Sequence, residues 1–315
     1  MQQSVTLILS NRNGTAPKIP AMSMLVLSRR RLLAGASATL ICGRAAAAFS
    51  PVQAKLAAVE FSVGGRLGLA ALDVASDRRI DYRSDHRWPM CSTFKLLLVG
   101  AVLARVDAGS ERLDRAISFT SDDLLDYAPV AKRNAARGQM SVAELCEAAI
   151  RYSDNSAANL LLKLVGGPGG VNAFVRSLGD HVTRLDRIEP FLNEVPEGDV
   201  RDTTTPANMI NDLGELVLHD RLSQPSRRLL VDWLVGCETG KERLRAGLPA
   251  DWRVGDKTGT WSGGSTNDVA IAWPPGHGPL LIAAYLGYSA APIAEQNKAL
   301  AEIARIVAAE LVPGS

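Results

Sequence analysis

The chain has 315 residues, 47% hydrophobic and 22% charged, an ordinary globular composition with enough apolar surface for a core. Its formal net charge of +2 is misleading: residues 1–48 carry six basic groups and no acid, leaving 29 basic against 33 acidic groups in the rest. So mildly acidic a body gives no electrostatic reason to expect nucleic acid or an anionic membrane surface as partner.

The first segment, residues 1–48, reads as an export leader. "SRRRLLAGASATLICGRAAAA" has a basic start, an apolar stretch from Leu32 to Cys42 and a small-residue end near Ala48. The apolar stretch is too short to span a bilayer, so no membrane span is expected once the leader is cut, and the mature chain is expected to be periplasmic or secreted. Ser28-Arg29-Arg30 ahead of Leu32-Leu33 resembles a twin-arginine signal, with an ordinary secretion signal as the alternative; Met22 and Met24 are alternative starts. Bulky Ile41 speaks against a lipoprotein at Cys42. Cys91, Cys146 and Cys237 follow the leader, which allows one disulfide at most.

A helix is expected from Pro51 to Ser62, then a hairpin over "GRLGLAALDVASDRRIDYRSD" with its turn at Asp77-Arg78. Helical patterns dominate from Pro89 to Leu234. They break at "DAGSERLD", at "GGPGG", which reads as a turn, and over an irregular stretch from Arg184 to Thr205. A segment that long without periodicity points to function. Strand patterns return in "WRVGDKTGT", "TNDVAIAWPP" and "GPLLIAAYLGYS", followed by an amphipathic helix from Ile293 to Leu311. Strands at both ends with helices between predict one α/β domain built from both termini and a helical domain inserted into it.

The stretch "WPMCSTFKLLLVGAVLARV" places Ser92 and Lys95 at the mouth of an apolar run. If residues 92–106 form a helix, the two share a face at its first turn, where unpaired N–H groups and the dipole favour negative charge. A serine there can attack a carbonyl once a base takes its proton, and a desolvated lysine can assist. S-x-x-K alone is a common pattern, and a capping serine beside a snorkelling lysine would look the same. It is joined, in order, by Ser153-Asp154-Asn155 in the helical region and by Lys257-Thr258-Gly259 on an expected strand. These three elements together mark serine β-lactamases and penicillin-binding proteins.

From about residue 50 onward the sequence resembles a class A β-lactamase, through "PMCSTFKLLLVGAVL", "ELCEAAIRYSDNSAANLLL", "RLDRIEPFLNE", "RDTTTPANM" and "DKTGTWSGGSTNDVAIAWPP". The resemblance implies an α/β (α+β) fold. Residues 49–88 and 235–315 would form a five-stranded antiparallel sheet domain with flanking helices. Residues 89–234 would form an inserted all-α domain, with an omega loop at about 184–202.

The resemblance also implies roles. Ser92 is the nucleophile, and Lys95 or Glu189 (through water) takes its proton. Ser153 passes a proton to the leaving nitrogen beside Lys257, and Glu189 with Asn193 activates the water that frees the acyl group. Backbone N–H groups of Ser92 and Thr260 form the oxyanion hole. Thr258, Gly259 and Thr260 line the substrate carboxylate, Asn155 holds the acyl side chain, Tyr127 walls the entrance, and Arg187 pairs with Asp202 to pin the loop. Glu189-Pro190 is a candidate cis peptide.

Departures from the pattern matter as well. Thr266 stands where many relatives carry an arginine, and Arg243, with Thr239 nearby, is expected to supply that guanidinium. Val99 replaces the disulfide partner of Cys146 in some relatives. Trp261 stands where carbapenem-hydrolysing relatives often have a cysteine paired with one like Cys91. No cofactor or metal is implied: His86, His181, His219 and His277 form no ligand spacing, and "GCETGKE" is no phosphate loop. A monomer acting on small β-lactams is expected. A cell-wall DD-peptidase and a covalent β-lactam sensor would share the acylating machinery, but Glu189 and Asn193 argue for the hydrolase.

Overall fold

A computed structural model describes residues 50–314; the leader expected over residues 1–48, with its arginine pair and alternative starts, lies outside the described residues. The first element, α1 (Pro51–Val63), starts where Ser50 accepts from the Gln53 N–H and the Gln53 side chain accepts from the Ser50 N–H, with Pro51 at the first helical position. β1 (Arg66–Asp73) and β2 (Arg78–Tyr82) form the expected hairpin, whose turn residue Asp77 has φ 58°.

The short strand β3 (Trp88–Pro89) leads to a 3₁₀ turn at Cys91–Thr93 and then α2 (Phe94–Asp107). The helix therefore begins two residues later than Ser92, which sits in the tighter turn ahead of it. Next come β4 (Ala116–Ser118), α3 (Pro129–Arg133), β5 (Gln139–Ser141), α4 (Val142–Arg151), α5 (Asn155–Val165) and α6 (Gly167–Ser177). "GGPGG" thus opens a helix and is more than a turn: Gly166, at φ 89°, ends α5, and Pro168 occupies the first turn of α6. After the irregular segment come β6 (Thr203–Thr204), α7 (Pro206–Val217), α8 (Gln224–Val235) and α9 (Leu244–Gly247). The chain closes with β7 (Arg253–Trp261), β8 (Ser265–Trp273), β9 (Leu280–Gly287) and α10 (Ile293–Leu311).

The main sheet has the order β2-β1-β9-β8-β7, every pair antiparallel. Its inner strands β1 and β9 and the second half of β8 are nearly continuous apolar runs because both faces are covered there. Val269, Ile271, Leu281, Ala283 and Tyr285 face a core shared with α2, α4, α5, α7 and α8. Their neighbours Ala270, Ala272, Ile282, Ala284 and Leu286 face a second core with α1 and α10. The cysteines Cys91, Cys146 and Cys237 are buried and unpaired. Among the described residues no helix is long and apolar enough to cross a membrane.

Candidate active site

The site lies where α2, the α4–α5 junction, the irregular segment and edge strand β7 converge. β7 approaches the 3₁₀ turn so closely that a Cβ at Gly259 would stand 2.7 Å from the Met90 carbonyl oxygen, hence the glycine. Asn267 on β8 donates to the Pro89 and Met90 carbonyls at 2.8 and 3.2 Å, fixing the start of that turn.

Lys95 is fully buried, and its Nζ is hydrogen-bonded or ion-paired to oxygens, with the Phe94 ring 5.9 Å away. Nζ lies 2.9 Å from Ser92 Oγ, 2.7 Å from the Ser153 carbonyl, 2.6 Å from Asn155 Oδ1 and 2.9 Å from Glu189 Oε1. Burial pulls its pKa down, and the Glu189 carboxylate pulls it back up. Ser92 Oγ in turn donates to Glu189 Oε1 at 3.3 Å. Ser153, at φ 56°, stands at the break between α4 and α5 and not within a helix; its Oγ accepts from Lys257 Nζ at 3.0 Å. Burial lowers Lys257 to about 7, with Lys95 and Arg243 adding like charge.

Between them, Asp154 is structural. Its buried carboxylate caps α5 through the Ala157 N–H and accepts from Val130 and Ala131 N–H at 2.8 and 2.9 Å, tying the junction to α3.

On the irregular segment, Glu189 is 1% exposed. Asn193 Nδ2 donates to Glu189 Oε2 at 2.7 Å, while Asn193 Oδ1, also buried, has no hydrogen-bond partner among the described residues. Asn159 of α5 accepts from the Glu189 N–H at 3.1 Å and donates to its carbonyl at 2.9 Å. Arg187 Nε meets Asp202 Oδ2 at 2.6 Å, and Asp202 Oδ1 accepts from the Asp186 and Arg187 N–H groups. The Glu189-Pro190 peptide is cis.

A cleft of about 390 Å³ is lined by Ser92, Tyr127, Ser153, Asn155, Asn193, Thr239, Thr258 and Thr260. Tyr127 is half exposed at its rim and accepts the Asn155 N–H through its carbonyl. Thr239 and Thr258 hydroxyls are 2.6 Å apart. Arg243 is buried, with Nη2 donating to Thr260 Oγ1 at 2.7 Å and Nη1 to the Gly259 and Asn267 carbonyls at 2.8 Å. Thr266 is buried and bonds Gln296 instead of entering the cleft. A larger cavity of about 740 Å³ between α1 and α10 holds none of these hydroxyls and neither Lys95, Lys257 nor Glu189. Among the described residues no group of His, Cys, Asp and Glu could hold a metal ion.

Residues 51–311 match the Beta-lactamase enzyme family. A structure of the last common ancestor of Gram-negative bacteria class A β-lactamase is 57% identical, covering 83% of this chain and all of its own, with a TM-score of 0.82. The chain belongs to the class A β-lactamases. Another ancestral class A β-lactamase structure is also 57% identical over 82% of this chain and 99% of its own (TM-score 0.81). A β-lactamase from Xanthomonas campestris pv. campestris is 47% identical over 81% and 96% (TM-score 0.80).

As a class A β-lactamase the protein is a hydrolase acting on β-lactams. Its sequence motifs locate the polar groups of the cleft. They mark Asp154 only as the centre of a motif and are silent on Asn159 and Asn267, whose support of those groups depends on contacts distant in sequence.

Proposed function

We propose that this β-lactamase opens penicillins and cephalosporins through an ester on Ser92 and clears that ester with water activated by Glu189. Substrate lies along β7, its carboxylate at the Thr258 and Thr260 hydroxyls. Arg243 supplies positive charge from behind Thr260, and Asn155 holds the acyl side-chain amide. The ring carbonyl oxygen sits between the N–H groups of Ser92 and Thr260, where removing one donor typically costs about 10²–10³ in rate.

Ser92 Oγ attacks the carbonyl as its proton passes to Lys95 or, through a water, to Glu189. Four oxygens within 2.9 Å hold Lys95 Nζ against Ser92 Oγ, where burial lowers its pKa and suits it to exchange a proton. The ring C–N bond breaks, and Ser153, held by Lys257, gives the nitrogen its proton. The proton taken from Ser92 returns to Ser153 through Lys95, whose Nζ lies 3.4 Å from Ser153 Oγ. Water then attacks the ester while Glu189 takes its proton, and the bond to Ser92 Oγ breaks as that proton returns to the serine.

The observation that carries this reading is the pairing of Glu189 with Asn193 beside Ser92: a carboxylate to accept a proton, and an amide oxygen with no other partner to hold the same water. A DD-peptidase or sensor built on the same acylating groups would stop at the ester. Steady hydrolysis of a chromogenic cephalosporin over many turnovers is the expected result; a single stoichiometric burst would sink the reading. Thr239, Arg243 and Thr260 resemble carbapenem-hydrolysing relatives, yet Cys91 is unpaired, so broad carbapenem turnover is not expected. The same reading places the enzyme outside the cytoplasm, as a monomer, after removal of residues 1–48.

A further inference from the structure

The backbone from Arg184 to Glu189 has almost no strand partner, only the Arg184 N–H donating to the Thr203 carbonyl at 3.0 Å. Leu185 is 1% exposed, so its own N–H and carbonyl must find partners away from water. Both go to one side chain. Asn172 on α6 accepts from the Leu185 N–H through Oδ1 at 2.8 Å and donates to the Leu185 carbonyl through Nδ2 at 2.7 Å.

A short planar amide presents a donor and an acceptor side by side, which is what one extended residue needs; a carboxylate could only accept. Four residues on, Asn159 holds Glu189 by the same two-bond pattern. The Arg187–Asp202 pair differs in kind. It joins two points of the loop, at the end where the Asp202 carbonyl also accepts the Met90 N–H at 2.9 Å, whereas Asn172 and Asn159 fasten the loop to α6 and α5, which pack on the helix carrying Lys95.

We propose that Asn172 is a positioning residue for deacylation, acting through Leu185 to fix where the Glu189 carboxylate stands relative to Ser92. This rests on the reading of Glu189 as the base for ester hydrolysis. Loosening the Leu185 clamp leaves the Glu189 backbone held by Asn159 and the Arg187–Asp202 pair alone, so that its carboxylate keeps Lys95 and Asn193 as neighbours but loses a fixed footing. Ser92, Lys95, Ser153 and Lys257 keep their own supports, and Lys95 stays 2.9 Å from Ser92 Oγ to take its proton, so ester formation is spared.

The test uses Asn172→Ala and Asn172→Asp in the purified protein with a good penicillin, measuring acylation and deacylation separately by quenched flow, beside Glu189→Ala. Acylation is expected within about twofold of the parent and deacylation slower by about tenfold or more, since a misplacement near 1 Å can cost about 10²-fold. Asn172→Asp, which keeps the acceptor for the Leu185 N–H, should fall between parent and Asn172→Ala. A merely structural role would lower the active fraction without moving the ratio of the two rate constants, and an unchanged ratio overturns the proposal.

If Glu189→Ala itself accumulates no ester, the general-base reading fails instead, which distinguishes the two. Should neither Asn172 variant fold, hydrogen exchange on the parent decides. Protection of the Leu185 amide at the level of α6 is expected, and exchange at the rate of an open loop overturns the clamp.

Discussion

Lys95 Nζ and Glu189 Oε1 are 2.9 Å apart, and both side chains are fully buried. Neither charge tolerates isolation there, so removing one strands the other. Glu189→Ala should slow deacylation by about 10²–10⁴-fold, the usual worth of a positioned general base, and leave the penicilloyl ester visible by intact mass. Release of penicilloate at the parent's rate would discard the base assignment.

Asp202 accepts three donors with two oxygens: the Asp186 and Arg187 N–H groups and the Arg187 guanidinium. Asp202→Asn turns one of those contacts into donor against donor. Breaking a buried pair costs about 3–5 kcal/mol, and the 23% exposure of Arg187 reduces the expectation to about 2 kcal/mol. Thermal unfolding should register that loss, and turnover of good penicillins should slow. Unchanged turnover would remove the loop pair from the mechanism.

Beneath the loop entrance, Asp180 and Asp212 each have a buried Oδ2 without a donor, an arrangement that one shared proton would satisfy. Burial, then the charge of Asp180, pushes Asp212 up to about 9; Arg176 pulls it down and Glu215 adds to the rise. A raised carboxyl holds a proton that the unfolded chain gives up above its ordinary pKa of 3.8. Stability therefore falls as pH rises from about 4 to about 9, by at most about 1.4 kcal/mol per pH unit. Asp212→Asn supplies an N–H and removes the titration. Its melting temperature should gain on the parent's as pH increases; a constant offset between the two curves would refute the shared proton.

Lys257, lowered to about 7 by burial, is charged below that pH and neutral above it. Binding of an anionic substrate should weaken as pH rises through about 7, by up to tenfold per unit for one proton. Lys257→Arg, which keeps its charge at any working pH, should flatten that limb of the kcat/KM profile. If both proteins share the limb, another group causes it.

The polar groups that line the cleft were legible in the sequence because their spacing is periodic or clustered. Ser92 and Lys95 fall one turn apart, Ser153 and Asn155 flank a single residue, and Lys257 to Thr260 follow one strand. The sheet was legible for the same reason, and α10 spans the residues expected of it. Less could be read where the backbone leaves its regular path. Ser92 lies in a 3₁₀ turn and Ser153 takes a left-handed conformation, neither of which changes side-chain periodicity. "GGPGG" looks like a turn because two of its glycines do have positive φ, yet its proline starts a helix. Arg243 was expected to supply the guanidinium for the substrate carboxylate; its burial behind Thr260 and its hold on two strand carbonyls were not readable from sequence. Asn172 and Asn159 were silent, since an asparagine on a helix gives no hint that it will grip a distant loop.

The strand β1 sits inside the sheet between β2 and β9, yet Leu280–Gly287 lies on the order of two hundred residues after it in the chain. Synthesis from the N-terminus thus delivers the hairpin first and its inner neighbour almost last. Until then one long apolar edge has no mate, and a ribosome-bound fragment could offer it to any passing strand. The catalytic cleft, which leans on β7 and β8, cannot be matured in stages. It comes into being only when the two extremities of the folded unit meet.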